Sequence, residues 1–319
     1  MRGVFFTFLF ICTSSFSQNY EIVDEMVLGY PSYSNLETLS NRISNDFKTD
    51  AYKARAAYIW IATNIKYDID AIKKPEILNT FMYYSERDYE KQLKTHLQQK
   101  VATALVTKKA LCEGYSAMFV ELCELLNLES KIIKGIAKTH PSEINASRKT
   151  KNHAWNAIKI NGKWQLVDVG WSNGFLDDIS GKWIVDFNDF FFFTKPEYFI
   201  NSHFPELSKW QLLDEPVRLK SFYEKPIFYS NYFKSELKIS NEQKGNLKAS
   251  KSRIVLNFNQ KNKKENLFYK LSSDKYIKRL NIYKTKNDTF SAIIYCSNNT
   301  SDILTLYENL NPVLGFKIN

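Results

Sequence analysis

Two alternating runs, 154–160 and 163–169, flank the dipeptide Asn161-Gly162. A tight type I′ turn needs positive φ at both central residues, which Asn and Gly accept at little cost, so the stretch predicts a β-hairpin. A two-residue turn fixes strand register, and register decides which side chains share a face. His153 opens the first run and Asp168 closes the second, almost symmetrically about the turn. They are therefore expected to meet across the pair, within hydrogen-bonding reach.

A second strong signal lies upstream. Leu111, Tyr115, Met118, Phe119, Leu122, Leu125 and Leu126 recur at three- and four-residue steps, which predicts an amphipathic helix over 110–126. Cys112 falls in its first turn, where unpaired N–H groups and the helix dipole favour an anion. Gly114 leaves room there for another backbone or a substrate. A cysteine in this place, with a histidine and an aspartate brought together downstream, supplies the parts of a cysteine nucleophile with its base. Cys112 is the candidate nucleophile, His153 the base and Asp168 the group that orients the imidazole. The Cys112 backbone N–H is the expected oxyanion donor. For a second donor only residue type points anywhere, to Gln98 and Gln99. Taken singly, each of the three has a packing or turn reading; the order Cys…His…Asp, with the last two on one hairpin, favours chemistry. His96, His140 and His203 read as surface or packing residues. No paired Cys/His spacing predicts a zinc site, no clustered acidic loop predicts calcium, and no cofactor is implied.

The net charge of +10 comes mostly from lysines spread along the chain, with runs at 108–109 and 261–264. No zinc finger, Gly-rich phosphate loop or RNA-binding sheet motif accompanies it, so no nucleic-acid partner is expected. Hydrophobic residues make up 44% of the chain and aromatics 15%, enough for packed cores. Met1-Arg2, an apolar stretch over 4–12 and Ser15-Phe16-Ser17 read as a secretory signal cleaved near Ser17. No later run reaches membrane-spanning length. The expected location is therefore secreted, periplasmic or cell-envelope, with no transmembrane segment in the mature chain. Of the four cysteines, Cys112, Cys123 and Cys296 would remain. Eleven residues of helix separate the first two by roughly 16 Å, too far for a disulfide, so Cys123 reads as a core thiol, and Cys296, in an apolar alternating stretch, reads the same way.

Along the chain, 19–34 reads as an extended lead-in with a turn at Gly29-Tyr30-Pro31. Helices are expected over 35–47 and 51–65, the second capped by Asp50. The polar stretch 66–100 reads as a flap with a short helix over 88–99, Tyr83 and Tyr84 being available to line a cleft. A strand is expected over 130–137, a mobile loop over 139–151, and a buried strand in the phenylalanine run 190–193, with Pro196 starting a short helix. From about 214–225 the texture changes to short alternating runs separated by Lys/Asn/Ser turns, which reads as a β-sandwich. The fold class is α+β.

Leu111-Cys112-Glu113-Gly114-Tyr115-Ser116, Asn152-His153-Ala154-Trp155-Asn156 and Asp168-Val169-Gly170-Trp171-Ser172-Asn173-Gly174 resemble the transglutaminase-like superfamily, whose core is papain-like. The wider pattern resembles its kyphoscoliosis-peptidase and cytokinesis branch. Its elements are Arg55, Trp60-Ile61, Asn64-Ile65-Lys66-Tyr67-Asp68, His203-Phe204-Pro205 and Trp210-Gln211-Leu212-Leu213. The resemblance implies a papain-like transglutaminase core, with N-terminal helices and a nucleophile helix packed on an antiparallel sheet. It places the family's triad on Cys112, His153 and Asp168, with Gly114, Tyr115, Trp155 and Trp171 expected to contact substrate. The expected division is a signal peptide over 1–17, a transglutaminase-like domain over 18–219 and a β-sandwich-like domain over 220–319. The implied activity is that of a cysteine peptidase, amidase or transglutaminase acting on a protein or peptide through a thioester. The alternative is a non-catalytic envelope scaffold or protein-binding module. Val-Gly-Trp-Ser-Asn-Gly after Asp168 departs from the Thr-Trp-Gly-Ala-Gly that relatives often have, so a different loop shape beside the site is an expectation.

Overall fold

The computed structural model describes residues 19–72, 84–177, 181–235, 237–259, 265–285, 289–296 and 301–319. The apolar N-terminal run, Tyr83 and the lysine run 261–264 lie outside them.

Three helices open the described chain: α1 (Glu21–Leu28), α2 (Leu36–Asp46) and α3 (Asp50–Asn64). The first replaces the expected extended lead-in. Val23 and Val27, one helical turn apart, are both buried, but two residues are too few for a periodicity to show in sequence. Asn35 caps α2 by accepting the Thr38 N–H at 2.9 Å. Thr49, not Asp50, caps α3, accepting the Tyr52 N–H at 3.3 Å. Helix α3 is buried nearly all round, Ala54, Ala57, Trp60 and Ile61 being fully enclosed, and its one charged buried residue is Arg55. The Arg55 guanidinium bonds both oxygens of Asp24 on α1, at 2.7 and 2.6 Å, and ion-pairs with Asp189. Burial lowers its pKa, but the hydrogen bond to Asp24 and the charge of Asp189 prevail, so the cation is held.

Strand β1 (Lys66–Tyr67) pairs in parallel with β2 (Lys109–Ala110), and between them lie α4 (Ile69–Ile72) and α5 (Glu86–Thr107). Helix α5 runs well beyond the expected short helix. Its N-cap is Ser85, which accepts the Asp88 N–H at 3.2 Å. Tyr84 is almost fully exposed there. The predicted cysteine helix is α6 (Cys112–Leu125). Its Ala117, Met118, Phe119 and Leu122 are buried against the sheet and the N-terminal helices.

The sheet has five antiparallel strands in the order β8 (Phe192–Thr194), β5 (Lys163–Val167), β4 (His153–Ile160), β3 (Ser130–Ala137) and β9 (His203–Pro205). Asn161 and Gly162 both have positive φ, as the hairpin requires, and the ladder runs from Ile160 opposite Lys163 to Asn156 opposite Val167. Asn156 ties helix to sheet by donating its amide to the Ser116 carbonyl at 3.0 Å. Gly135 of β3 stands between His153 and Pro205; a Cβ there would lie 2.3 Å from the Phe204 carbonyl, so glycine admits β9 to the edge. After β5 come α7 (Val169–Ser172) and a hairpin of β6 (Gly174–Asp177) and β7 (Lys182–Val185). The phenylalanine run is only in part a strand: Asp189–Phe191 forms a 3₁₀ turn before β8. Pro196 opens α8 (Pro196–Phe199) as expected. The 139–151 loop is pinned rather than free, by a 3₁₀ turn at Pro141–Glu143 that His140 caps and by an Arg148–Glu143 ion pair.

Beyond α9 (Leu219–Glu224) the chain is sheet-rich. Strands β10 (Ile227–Phe228), β18 (Asn311–Ile318), β17 (Asp302–Glu308), β13 (Leu267–Leu271) and β14 (Lys278–Arg279) form one sheet, with β11 (Asn246–Leu247) beside β18. Helix α10 (Ser230–Lys234) precedes a second sheet of β12 (Arg253–Phe258), β16 (Phe290–Tyr295) and β15 (Ile282–Lys284). Leu256, Phe258, Ile294, Leu304, Leu314 and Phe316 fill a core between them. The junction with the first region is polar and buried: the Lys138 ammonium donates to the carbonyls of Phe222 and Lys225 at 2.7 and 2.8 Å. Burial, and then the charge of Lys225, lower its pKa to about 7. Cys123 is a fully buried core thiol and Cys296 is half-buried; with Cys112 they are free. Among the described residues no helix is long and apolar enough to cross a membrane.

Arg55→Met keeps the volume of the central side chain and removes its charge. Because Asp24 and Asp189 retain access to water, the variant is expected at the lower end of the cost of breaking a buried pair, about 3 kcal/mol in urea unfolding. A loss no larger than that of an exposed pair, below about 1 kcal/mol, would show that these ion pairs do not hold α1 to α3.

Candidate active site

Asp168 follows the last residue of β5 and is the N-cap of α7, so the strand ends two residues earlier than the alternating pattern suggested. Its Oδ1 accepts the Trp171 backbone N–H at 3.0 Å, which satisfies one orphan donor of the helix start. That leaves Oδ2 for the sheet. In the hairpin register Asp168 stands diagonal to His153, on the same face, and His153 Nε2 lies 2.6 Å from Oδ2. The Cys112 side chain, at the start of α6, lies close enough to His153 to help raise its pKa. Two elements therefore present three side chains to one another: the hairpin brings His153 and Asp168, and the helix lying across it brings Cys112. Cys112 is half-buried, whereas both hairpin residues are enclosed.

A fourth residue joins them. His203 of β9, which read as a surface or packing residue, is 1% exposed, and its Nε2 lies 3.0 Å from the same Asp168 Oδ2. Its Nδ1 meets the Ser202 hydroxyl at 2.8 Å. With Nε2–H directed at the carboxylate, Nδ1 is left to accept from that hydroxyl, which fixes a neutral tautomer. Aromatic rings box it in, Phe199 stacked at 4.0 Å and Trp171 tilted at 4.3 Å between ring centroids. Local sequence carried no signal for this contact beyond the presence of His203 in the His-Phe-Pro stretch. No turn relates β9 to Asp168, and only the edge pairing with β3 brings them together.

One carboxylate facing two imidazoles separates their protonation. For His153, burial lowers the pKa, but the charge and hydrogen bond of Asp168, aided by Cys112, reverse this and raise it well above the ordinary value. For His203, burial prevails over Asp168, and the neighbouring His153 cation adds to it, so its pKa falls to about 4. Burial raises the Asp168 pKa, but the two histidines, His153 first, outweigh it and hold the carboxyl ionised. At neutral pH the site is then an imidazolium–carboxylate pair flanked by a neutral imidazole. His153, Asp168 and His203 are also the described residues grouped closely enough to hold a metal ion, their ligand atoms all within 4.8 Å of one another. An ion there would have to take Asp168 Oδ2 from both rings.

The residues expected to contact substrate fare differently. Gly114 is buried, and a Cβ on it would sit 3.0 Å from the Ala110 Cβ, so the glycine lets β2 approach the helix. Tyr115 is 1% exposed and donates its hydroxyl to the Ile65 carbonyl. Trp155 is 1% exposed, its ring edge-on to His203. These three therefore pack behind the site and have no surface for a substrate. Trp171 stays half-buried, 5.2 Å from the His153 ring. Gln98 and Gln99 lie exposed on α5, so neither lines an oxyanion position.

Because His203 is buried neutral with a depressed pKa, its contribution to stability is complete above about pH 6.5 and is lost as pH falls toward about 4, where the unfolded chain takes up the proton first. Across that window the loss amounts to about 3 kcal/mol. His203→Gln, which retains a donor for Asp168, is expected to flatten this part of the profile in urea midpoints measured against pH. Parallel profiles for variant and wild type would show that His203 does not titrate on unfolding.

The transglutaminase-like superfamily model matches residues 37–169, a span that takes in α3, α6, the hairpin and the three converging side chains. Kyphoscoliosis peptidase of Homo sapiens is 32% identical over 218 residues, 67% of this chain and 30% of that protein. The Lim and transglutaminase domain protein ltd-1 of Caenorhabditis elegans is 27% identical over 227 residues, 67% of this chain and 28% of that protein. Cytokinesis protein 3 of Saccharomyces cerevisiae is 28% identical over 125 residues, 38% of this chain and 14% of that protein. The chain thus spans less than a third of the length of the curated relatives it matches. By the matched domain and these relatives, the chain belongs to the transglutaminase-like superfamily, on the branch of kyphoscoliosis peptidase and the cytokinesis proteins.

Proposed function

We propose that this chain is an exported cysteine enzyme of acyl transfer, acting on peptide or amide bonds of a protein or peptide through a thioester at Cys112. The observation that carries the reading is the enclosed His153–Asp168 hydrogen bond at 2.6 Å, with Cys112 at the start of α6 near enough to act on the same imidazole. Acyl transfer to sulfur needs a base that holds the thiol proton and later returns it to the leaving amine, and a fixed group that keeps the ring aligned. In this reading Cys112 sulfur attacks the carbonyl carbon and His153 carries the proton. Asp168, unable to turn because its other oxygen caps α7, stabilises the imidazolium. The Cys112 backbone N–H stabilises the tetrahedral oxyanion. Collapse expels the amine with the proton from His153, and water or a second amine then resolves the thioester; that acceptor decides between hydrolase and transamidase.

Exposed Phe175, Ile184 and Val185 on the β6–β7 hairpin, which follows α7, suit an approach by a polypeptide with apolar side chains. In the same reading residues 18–219 carry the chemistry, 220–319 position a partner, and the N-terminal apolar run directs export.

Iodoacetamide labelling tests the pair without a substrate. At pH 6, Cys112 is expected to be alkylated at least about tenfold faster in wild type than in His153→Ala, because an imidazolium beside a thiol favours the reactive anion. Equal rates in two folded samples would remove His153 from the role of base. Cys112→Ala, with its thiol gone and its fold kept, should lose cellular function; a fully functional variant would assign the fold a binding role instead.

A further inference from the structure

We propose that the segment 275–279 of the sheet-rich region is a contact surface for anionic lipid headgroups, with Tyr276 and Ile277 seated at the edge of the apolar phase. Such a role makes no use of Cys112. Lysines run through the whole chain, but in its first part acidic residues match them. Residues 1–219 hold 26 Lys and Arg against 26 Asp and Glu. Residues 220–319 hold 18 against 8, so the entire formal charge of +10 belongs to the sheet-rich region. Charge gathered in one part of a molecule turns that part toward an acidic surface.

Within that region one exposed tip carries cations and apolar side chains together. Leu271 at the end of β13 and Leu280 after β14 are buried, whereas 275–279 between them are all exposed. Tyr276 is 67% and Ile277 41% exposed. The tip is held in place. The Asp274 N–H donates to the Leu271 carbonyl at 2.9 Å, and the Leu280 N–H to the Leu267 carbonyl at 2.8 Å. The Asp274 carboxylate takes the Lys278 ammonium at 2.7 Å and so spends its charge there. The Lys275 ammonium lies 5.2 Å from the centre of the Tyr276 ring, and Arg279 donates to the neutral Glu265 carbonyl at 3.3 Å. Among the described residues neither of these two cations meets a carboxylate. Strand β14 is the edge of its sheet, where exposed cations guard against pairing with a further strand. That accounts for Lys278 and Arg279 but not for Tyr276 and Ile277, which stand before the strand. A tyrosine and an isoleucine side by side, flanked by cations, fit a lipid interface. Headgroup phosphates meet the cations, the phenol lies at headgroup level with its hydroxyl wet, and the isoleucine reaches the acyl boundary. A dissolved polyanion offers the charge but no apolar phase for Ile277.

Sedimentation of the full chain with vesicles tests this surface. At low salt the chain is expected to bind vesicles of equal parts phosphatidylcholine and phosphatidylglycerol far better than phosphatidylcholine alone. Lys275→Gln with Arg279→Gln should weaken that binding about 25-fold, about fivefold for each cation taken from the headgroups. Tyr276→Ser with Ile277→Ser should weaken it about tenfold, while its binding to heparin stays within about twofold of wild type. All four side chains are exposed, so both variants should keep the wild-type urea midpoint and the wild-type rate of Cys112 alkylation. Vesicle binding that falls less than about twofold in both variants would overturn the proposal and assign the attraction to the diffuse charge of the region. A loss confined to the charge variant, and equal on vesicles and heparin, would overturn it too, making the tip a site for a soluble polyanion. Equal binding to the two kinds of vesicle would exclude anionic headgroups as the partner. No binding to either would leave the cations as guards of the sheet edge alone.

Discussion

A carboxylate removed from water is tolerated only where donors meet its oxygens, and Asp168 meets that condition from three directions. The Trp171 N–H of α7 takes one oxygen, and His153 and His203 share the other. Each of those donors belongs to a different element: the turn after the hairpin, the central strand and the edge strand. The position of this carboxylate therefore ties the end of β5, the start of β4 and the docking of β9 into one arrangement. Removing any one of them would leave charge or polarity buried without a partner. The same arrangement tunes the site. Two imidazoles on one oxygen cannot both hold a proton cheaply, so the ring facing Cys112 is cationic and the ring boxed by Phe199 and Trp171 is neutral.

Away from the site a second buried charge plays a comparable part in the helices. Arg55 sits in a helix whose faces are almost all enclosed, and its guanidinium reaches Asp24 on α1 and Asp189 before the strand β8. Tyr20, Tyr58 and Phe192 lie around it, with centroids 4.9–5.4 Å from the cation. A strongly held cation among aromatic faces joins the N-terminal helices to the far edge of the sheet. At the other end, Lys138, the residue after β3, extends to the carbonyls of the segment leading into the sheet-rich region. In each place a buried polar group joins the elements beside apolar contacts.

How far this could be read beforehand differed by element. The hairpin was legible because Asn161-Gly162 is a local instruction: positive φ at both residues sets the turn, and the turn sets the register that makes His153 and Asp168 diagonal neighbours. Helix α6 was legible through its long apolar period, with Cys112 at its start. Helix α1 was not, because only Val23 and Val27 declare its inner face. The length of α5 was also hidden, since a polar surface helix shows little periodicity. Among site residues, the resemblance pointed to Cys112, His153 and Asp168, but the rings of Tyr115 and Trp155 turned out to be packing, because the helix and strand that carry them are enclosed on that side.

By itself the sequence determined what depends on neighbours along the chain: the α+β class, the two-residue turn, the cysteine helix and the pairing of His153 with Asp168. Only the tertiary structure decided what depends on distant segments coming together. It brought His203 to Asp168 through an edge strand that Gly135 admits, and set Tyr67 opposite Ala110, two residues before Cys112, through a two-residue parallel pairing. Such contacts follow from how sheets and helices stack to exclude water, and chain-neighbour preferences contain no record of that geometry.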